Sequence, residues 1–167
     1  MDFPHPPVHH TAQRAADTPP AALAPVPRSA WGRVTLVGAG PGDAELLTLK
    51  AARVLASASL VLYDHLVSKD VLQHVPTGAE LIYVGKQSSN HSLPQEGIID
   101  LMVRLAQAGR SLVRLKGGDP YIFGRGGEEA EALAAEGIAC ETVPGISAAQ
   151  GAAAATGIPL THRDHAG

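Results

Sequence analysis

A chain of 167 residues, 45% of them hydrophobic, has room for one ordinary domain with a packed core and too few residues for two of normal size. A formal charge of −3 supplies no basic footprint for nucleic acid, and no apolar run approaches the ~18 residues of a membrane span. The N-terminus lacks a charged-then-apolar secretory pattern and the single cysteine, Cys140, excludes an internal disulfide, so a soluble cytoplasmic protein is expected.

Residues 1–30 differ in composition from the rest. Seven of the thirteen prolines fall here (Pro4, Pro6, Pro7, Pro19, Pro20, Pro25 and Pro27), with scattered alanines and almost no large apolar side chains. Such a segment buries too little surface to offset its ordering entropy and reads as a disordered extension. His5, His9 and His10 fit a solvated tail better than a metal site. The domain itself is expected over residues 31–167.

The run Val34-Thr35-Leu36-Val37 followed by Gly38-Ala39-Gly40-Pro41-Gly42-Asp43 has the form of a buried strand, a tight glycine-rich loop and a helix start. A dinucleotide fingerprint would need a third glycine where Asp43 stands, and Pro41 removes a backbone donor beside it. Asp43 reads as an N-cap, which would occupy the amides a pyrophosphate needs and repel a second anion. The loop therefore argues against a dinucleotide and leaves open a neutral or cationic adenosyl compound.

Strand and helix patterns then alternate. A helix is expected over Ala44–Ala58, with Leu46, Leu47, Lys50, Val54 and Leu55 on one face. A second strand follows over Ser59–Tyr63, a short helix around Ser68–His74 and a third strand over Leu81–Val84. After the polar loop Gln87–Ser92, Pro94 and Gly109 bracket a helix whose buried face is Ile98, Ile99, Met102, Leu105 and Ala106. Met102 reads as core filling. A fourth strand is expected over Ser111–Leu115, a helix over Glu128–Glu136, a fifth strand over Ile138–Val143 and an alanine-rich helix over Ile146–Ala155. Cys140 falls in the alternating run Ile138–Val143 of that fifth strand and reads as a small core residue. The fold class is α/β: a five-stranded, mainly parallel sheet with helices on both faces.

In an open parallel sheet the ligand crevice lies outside the carboxyl ends of the strands. Those ends are Gly38–Asp43, Asp64-His65, Gly85-Lys86, Gly117–Asp119 with Tyr121–Gly126, and Pro144–Ala148. Each loop alone could be turn glycines and solvated charges. Five informative loops along one edge favour a site. Arg114 and Lys116 could be anion contacts or sheet-edge charges in solvent.

Several stretches match a known family: Gly38–Asp43, Tyr63-Asp64 with Leu66-Val67-Ser68, Tyr83–Lys86, His91 with Pro94-Gln95-Glu96, Arg114–Pro120, Phe123–Glu129, Val143–Gly145 and Gly157–Asp164. Over residues 32–164 the chain resembles the uroporphyrinogen-III C-methyltransferases of the tetrapyrrole methylase superfamily. The resemblance implies C-methylation of uroporphyrinogen III to precorrin-2 with S-adenosylmethionine as methyl donor, in sirohaem or cobalamin synthesis. By position, Pro41, Gly117, Gly118, Asp119, Ile122, Ser147 and Ala148 would contact S-adenosylmethionine. Asp64 would be the proton acceptor and Lys86 the proton donor, and a homodimer is implied for the family. Charge sign alone offers Arg125, Lys86, Arg163 and Lys116 as partners for the substrate's carboxylates.

Departures from the pattern are His65 where arginine is usual, Ser147 for threonine, and Gly97 near a helix start, worth ~1 kcal/mol in helix propensity. The resemblance also implies a second domain beyond Thr161–Asp164, with the active site between the two. The sequence ends at Gly167, so a first domain without the second is expected, with two readings of it: a methyltransferase part, or a non-catalytic fragment that binds S-adenosylmethionine weakly or only with a partner domain.

Overall fold

The computed structural model describes residues 26–85 and 94–165. Most of the extension, residues 1–25, and the loop 86–93, with Lys86 and His91, lie outside the described residues. Residues 26–30, grouped with the extension on composition, form a 3-10 turn at Arg28–Ala30. The Trp31 indole N–H donates to the Val26 carbonyl at 3.0 Å, and the Arg28 guanidinium lies 5.2 Å from the Trp31 ring centroid.

The strands are β1 (Val34–Gly38), β2 (Leu60–Tyr63), β3 (Glu80–Tyr83), β4 (Leu112–Lys116) and β5 (Cys140–Val143). Between them run α1 (Leu49–Ala56), α2 (Lys69–Leu72), α3 (Gln95–Gln107) and α4 (Gly126–Ala135), and α5 (Ala148–Thr156) follows β5. All four pairings are parallel, in the order β3-β2-β4-β1-β5. The α/β class and five-stranded sheet read from the sequence are the observed ones.

The helix expected over 44–58 is broken. Ala44–Leu46 is a separate 3-10 turn, capped by the Asp43 carboxylate accepting from the Glu45 amide, and α1 restarts after Thr48, whose hydroxyl accepts from the Ala51 amide. Two side-chain caps five residues apart impose two starts. Asp43 is thus the expected cap, of a single turn. The buried face of α1 is Ala51 and Leu55, while Lys50 reaches out to pair with Glu141.

Side chains alternate across a strand, so each strand feeds two cores. Val37, Val61, Val113 and Leu115 pack with α1 and α2 residues Ala51, Leu55 and Val71. Val34, Leu36, Leu60, Leu62 and Leu112 pack on the other face with Ile98, Met102 and Ala106 of α3 and Leu133 of α4. Cys140 is half-buried beside this second core, and burial raises its thiol pKa, as befits a packing residue. No described helix is long and apolar enough to cross a membrane.

The chain leaves β1 through α1 toward β2 and leaves the adjacent β4 through α4 toward β5, on opposite faces and in opposite directions. The carboxyl ends of β1 and β4 therefore mark the point where the connections diverge and a crevice opens.

Candidate active site

At that point the backbone makes a tight glycine junction. Gly40 and Gly118 exchange two backbone hydrogen bonds, N to O, of 3.2 and 2.8 Å, and Ala39 donates to the Lys116 carbonyl at 2.7 Å. Gly118 sits at φ +65°, in the left-handed region that glycine enters without strain. A Cβ on Gly145 would stand 2.3 Å from the Gly118 carbonyl oxygen, and one on Gly38 2.6 Å from the Gly145 nitrogen. Three loops meet backbone to backbone.

Asp119 ties them together. One carboxylate oxygen accepts from the Tyr121 amide at 2.8 Å and the other from the Gly145 amide at 3.0 Å. Ser147 caps α5 by accepting from the Gln150 amide while the Gln150 side chain accepts from the Ser147 amide, a reciprocal box. Ser147→Ala is expected to cost about 1 kcal/mol of stability, read by denaturant unfolding.

The junction floors a crevice of about 480 Å³. Pro41, Gly117, Gly118, Asp119, Ile122, Ser147 and Ala148 all line it, so the seven residues singled out from the sequence for S-adenosylmethionine converge on one cavity. Pro41 offers no N–H and the Asp43 carboxylate caps its own turn, which leaves this loop poorly suited to a phosphate. Phe123 is fully exposed at φ +56° and borders both this crevice and a neighbouring one.

The neighbouring cavity, about 420 Å³, shares Leu66, Gly117, Phe123 and Gly124 with the first and adds Asp64, His65, Arg114, Lys116 and Arg125. Asp64 follows β2. Its Oδ1 accepts from the Leu66 amide at 3.0 Å and its Oδ2 from Arg114 Nη2 at 3.1 Å, with 18% of the side chain exposed. Arg125 is a half-exposed, left-handed helix cap in a bidentate pair with Glu128, at 2.9 and 2.7 Å. Arg163 is exposed, and Lys86 lies outside the described residues.

Arg114 and Lys116 are buried, which settles their two sequence readings against solvated edge charges: β4 is the middle strand, and both side chains share the face of Leu112, toward α3 and α4. Glu129 of α4 meets them there. It is fully buried, and its Oε1 accepts from Lys116 Nζ at 2.9 Å, Gln95 Nε2 at 3.0 Å and Arg114 Nε at 3.4 Å. Burial, then the Arg114 guanidinium, lower the Lys116 pKa, with Glu129 opposing both. Sequence reading overlooked Glu129. The available signal was its place on the α4 stripe Gly126, Glu129, Leu133, opposite two cations on one face of a central strand.

A parallel sheet with a cavity at its divergence point and a glycine junction beneath is an α/β domain built to hold a small molecule at its carboxyl edge. The family model of the tetrapyrrole (corrin/porphyrin) methylases matches residues 33–167. Siroheme synthase 1 of Pectobacterium atrosepticum is 62% identical over 141 residues, 84% of this chain and 29% of that protein. Among solved structures, native uroporphyrin III C-methyl transferase from Thermus thermophilus is 53% identical with a TM-score of 0.67, covering 79% of this chain and 55% of that one. The same organism's enzyme complexed with S-adenyl homocysteine is 51% identical, covering 79% of this chain and 51% of that one, with a TM-score of 0.64. The chain belongs to the tetrapyrrole methylase family. It spans under a third of that siroheme synthase and little more than half of those solved chains.

Proposed function

We propose that this chain forms the cofactor-binding part of an S-adenosylmethionine-dependent methyltransferase that C-methylates uroporphyrinogen III to precorrin-2, in sirohaem or cobalamin biosynthesis. The observation behind the reading is the convergence of Pro41, Gly117–Asp119, Ile122, Ser147 and Ala148 on one crevice that adjoins the Asp64 cavity. Its volume of about 480 Å³ suits a nucleoside-sized ligand. The activity is assigned to the protein as a whole, since relatives named for it are longer. A homodimer and a cytoplasmic location belong to the same reading, with neither nucleic acid nor membrane as partner.

When bound, S-adenosylmethionine supplies an electrophilic methyl group on a sulfonium. The protein's own contribution is mainly orientation, because a pyrrole carbon must approach that methyl group in line. The shared wall of Leu66, Gly117, Phe123 and Gly124 puts the two cavities side by side. The methylated carbon carries no hydrogen of its own, so the cationic ring left by methyl transfer must lose a proton from another position. Asp64, held at both oxygens, offers a base to it. Lys86 would return a proton elsewhere on the ring. Arg163 is an exposed cation open to the substrate's carboxylates, and Arg125, also exposed, would have to share its guanidinium with Glu128 to meet one.

The test is anaerobic methyl transfer to uroporphyrinogen III read by mass spectrometry, with S-adenosylmethionine binding read by calorimetry. Two added methyl groups are expected. Asp64→Asn should slow transfer by about 10²–10⁴-fold and leave cofactor affinity within about twofold. A protein that neither binds S-adenosylmethionine nor methylates the porphyrinogen is the non-catalytic relative instead, and an unimpaired Asp64→Asn removes Asp64 as the base.

A further inference from the structure

Glu129 lines neither cavity and is fully buried, so any influence on the chemistry must pass through other side chains. Its contacts define the route. Arg114 commits all three guanidinium nitrogens: Nε to Glu129 at 3.4 Å, Nη1 to the Leu115 carbonyl at 3.0 Å and Nη2 to Asp64 Oδ2 at 3.1 Å. A planar fork held at three points has one orientation. Asp64 is then fixed from two sides, by Arg114 and by its own turn onto the Leu66 amide. Gln95 of α3 and Lys116 anchor Glu129 from beside and below.

The arrangement is costly as packing alone. Among the described residues, Glu129 Oε2 is the buried side-chain polar atom with no partner. Apolar residues in place of Glu129 and one of its cations would continue the Gly126–Leu133 stripe without that penalty. Neutralising Lys116 alone would not require a contact to Arg114.

We propose that Glu129 is a positioning residue: it orients Arg114, which in turn sets the carboxylate of Asp64 at the cavity wall. The inference rests on the methyltransferase reading for its consequence and on geometry for its mechanism. Glu129→Gln keeps the shape and one acceptor oxygen but removes the charge, weakening the hold on the Nε side of the fork. Asp64 then turns more freely and a proton acceptor is less often in place.

Two readouts test this. In methyl transfer, Glu129→Gln should lower kcat about tenfold or more with the KM for S-adenosylmethionine within about twofold, and should cost nothing further in an Asp64→Asn background. In NMR hydrogen exchange, the Leu66 amide should exchange several-fold faster in Glu129→Gln, while the Glu45 amide, held by Asp43 in the same kind of turn, keeps its rate. An unchanged Leu66-to-Glu45 ratio overturns the proposal whatever the kinetics, as does a full additional loss of kcat in the Asp64→Asn background. A shifted ratio in a protein without methyl transfer supports the positioning and defeats the functional reading, so the two failures are distinct. Where Glu129→Gln does not fold, Lys116→Met/Glu129→Gln, which removes one charge of each sign, takes its place in both measurements.

Discussion

Glu129→Leu is expected to destabilise the protein by about 3–5 kcal/mol, lowering the thermal midpoint by about 6–20 °C in a calorimetric scan. The cause is the charge left behind. Asp64, Arg114, Lys116 and Glu129 form a balanced cluster of two anions and two cations, with Arg114 and Lys116 almost wholly enclosed. Removing Glu129 strands one positive charge in the core, and the apolar gain of a leucine, about 1.5–3 kcal/mol, does not cover that. Lys116→Met/Glu129→Leu removes one charge of each sign, keeps the Arg114–Asp64 pair and should recover most of the loss. A single variant as stable as the wild type would mean that water reaches the cluster.

The pH dependence follows from Lys116. Its pKa is already lowered by burial and by Arg114, against which Glu129, and after it Asp64, raise it. Without Glu129 the folded-state value drops further below that of the unfolded chain. Between the two values the unfolded chain holds more protons, so stability rises with pH. The deficit of Glu129→Leu is therefore largest below the lowered folded value and shrinks as pH climbs toward the unfolded one.

What the sequence discloses here depends on the range of each interaction. Alternation of apolar runs with helix periodicity gives five strands and their helices, because each pattern is local. The crevice residues are legible for a similar reason: Gly38–Asp43, Gly117–Asp119 and Pro144–Ala148 each punctuate a strand end, and a parallel sheet brings all strand ends to one edge. Strand order is not local. Nothing in Leu112–Lys116 says that β4 lies between β2 and β1, so Arg114 and Lys116 could equally have stood at an edge in water. Glu129 becomes visible only once that order places two cations opposite α4. The broken helix at Leu47–Thr48 fails differently: Thr48 is an ordinary helical residue by pattern, and only its hydroxyl on the Ala51 amide makes it a start.

Gly145→Ala is expected to weaken S-adenosylmethionine binding by more than about tenfold and to destabilise the protein by about 1–3 kcal/mol. The added methyl group would stand 2.3 Å from the Gly118 carbonyl oxygen and 2.9 Å from Gly38 Cα, and both obstacles are backbone. The loop after β4 must retreat, carrying Gly117, Gly118 and Asp119 away from the crevice and stretching the Asp119 bond to the Gly145 amide. Gly127→Ala is the control. A Cβ there meets nothing within 4 Å inside α4, so the same change should stabilise by about 0.5–1 kcal/mol through helix propensity and leave binding untouched. Calorimetric titration and chemical denaturation of both variants separate the two effects. If Gly145→Ala loses stability yet binds the cofactor as the wild type does, the glycine junction supports the fold alone, and the ligand does not rest on the loops it joins.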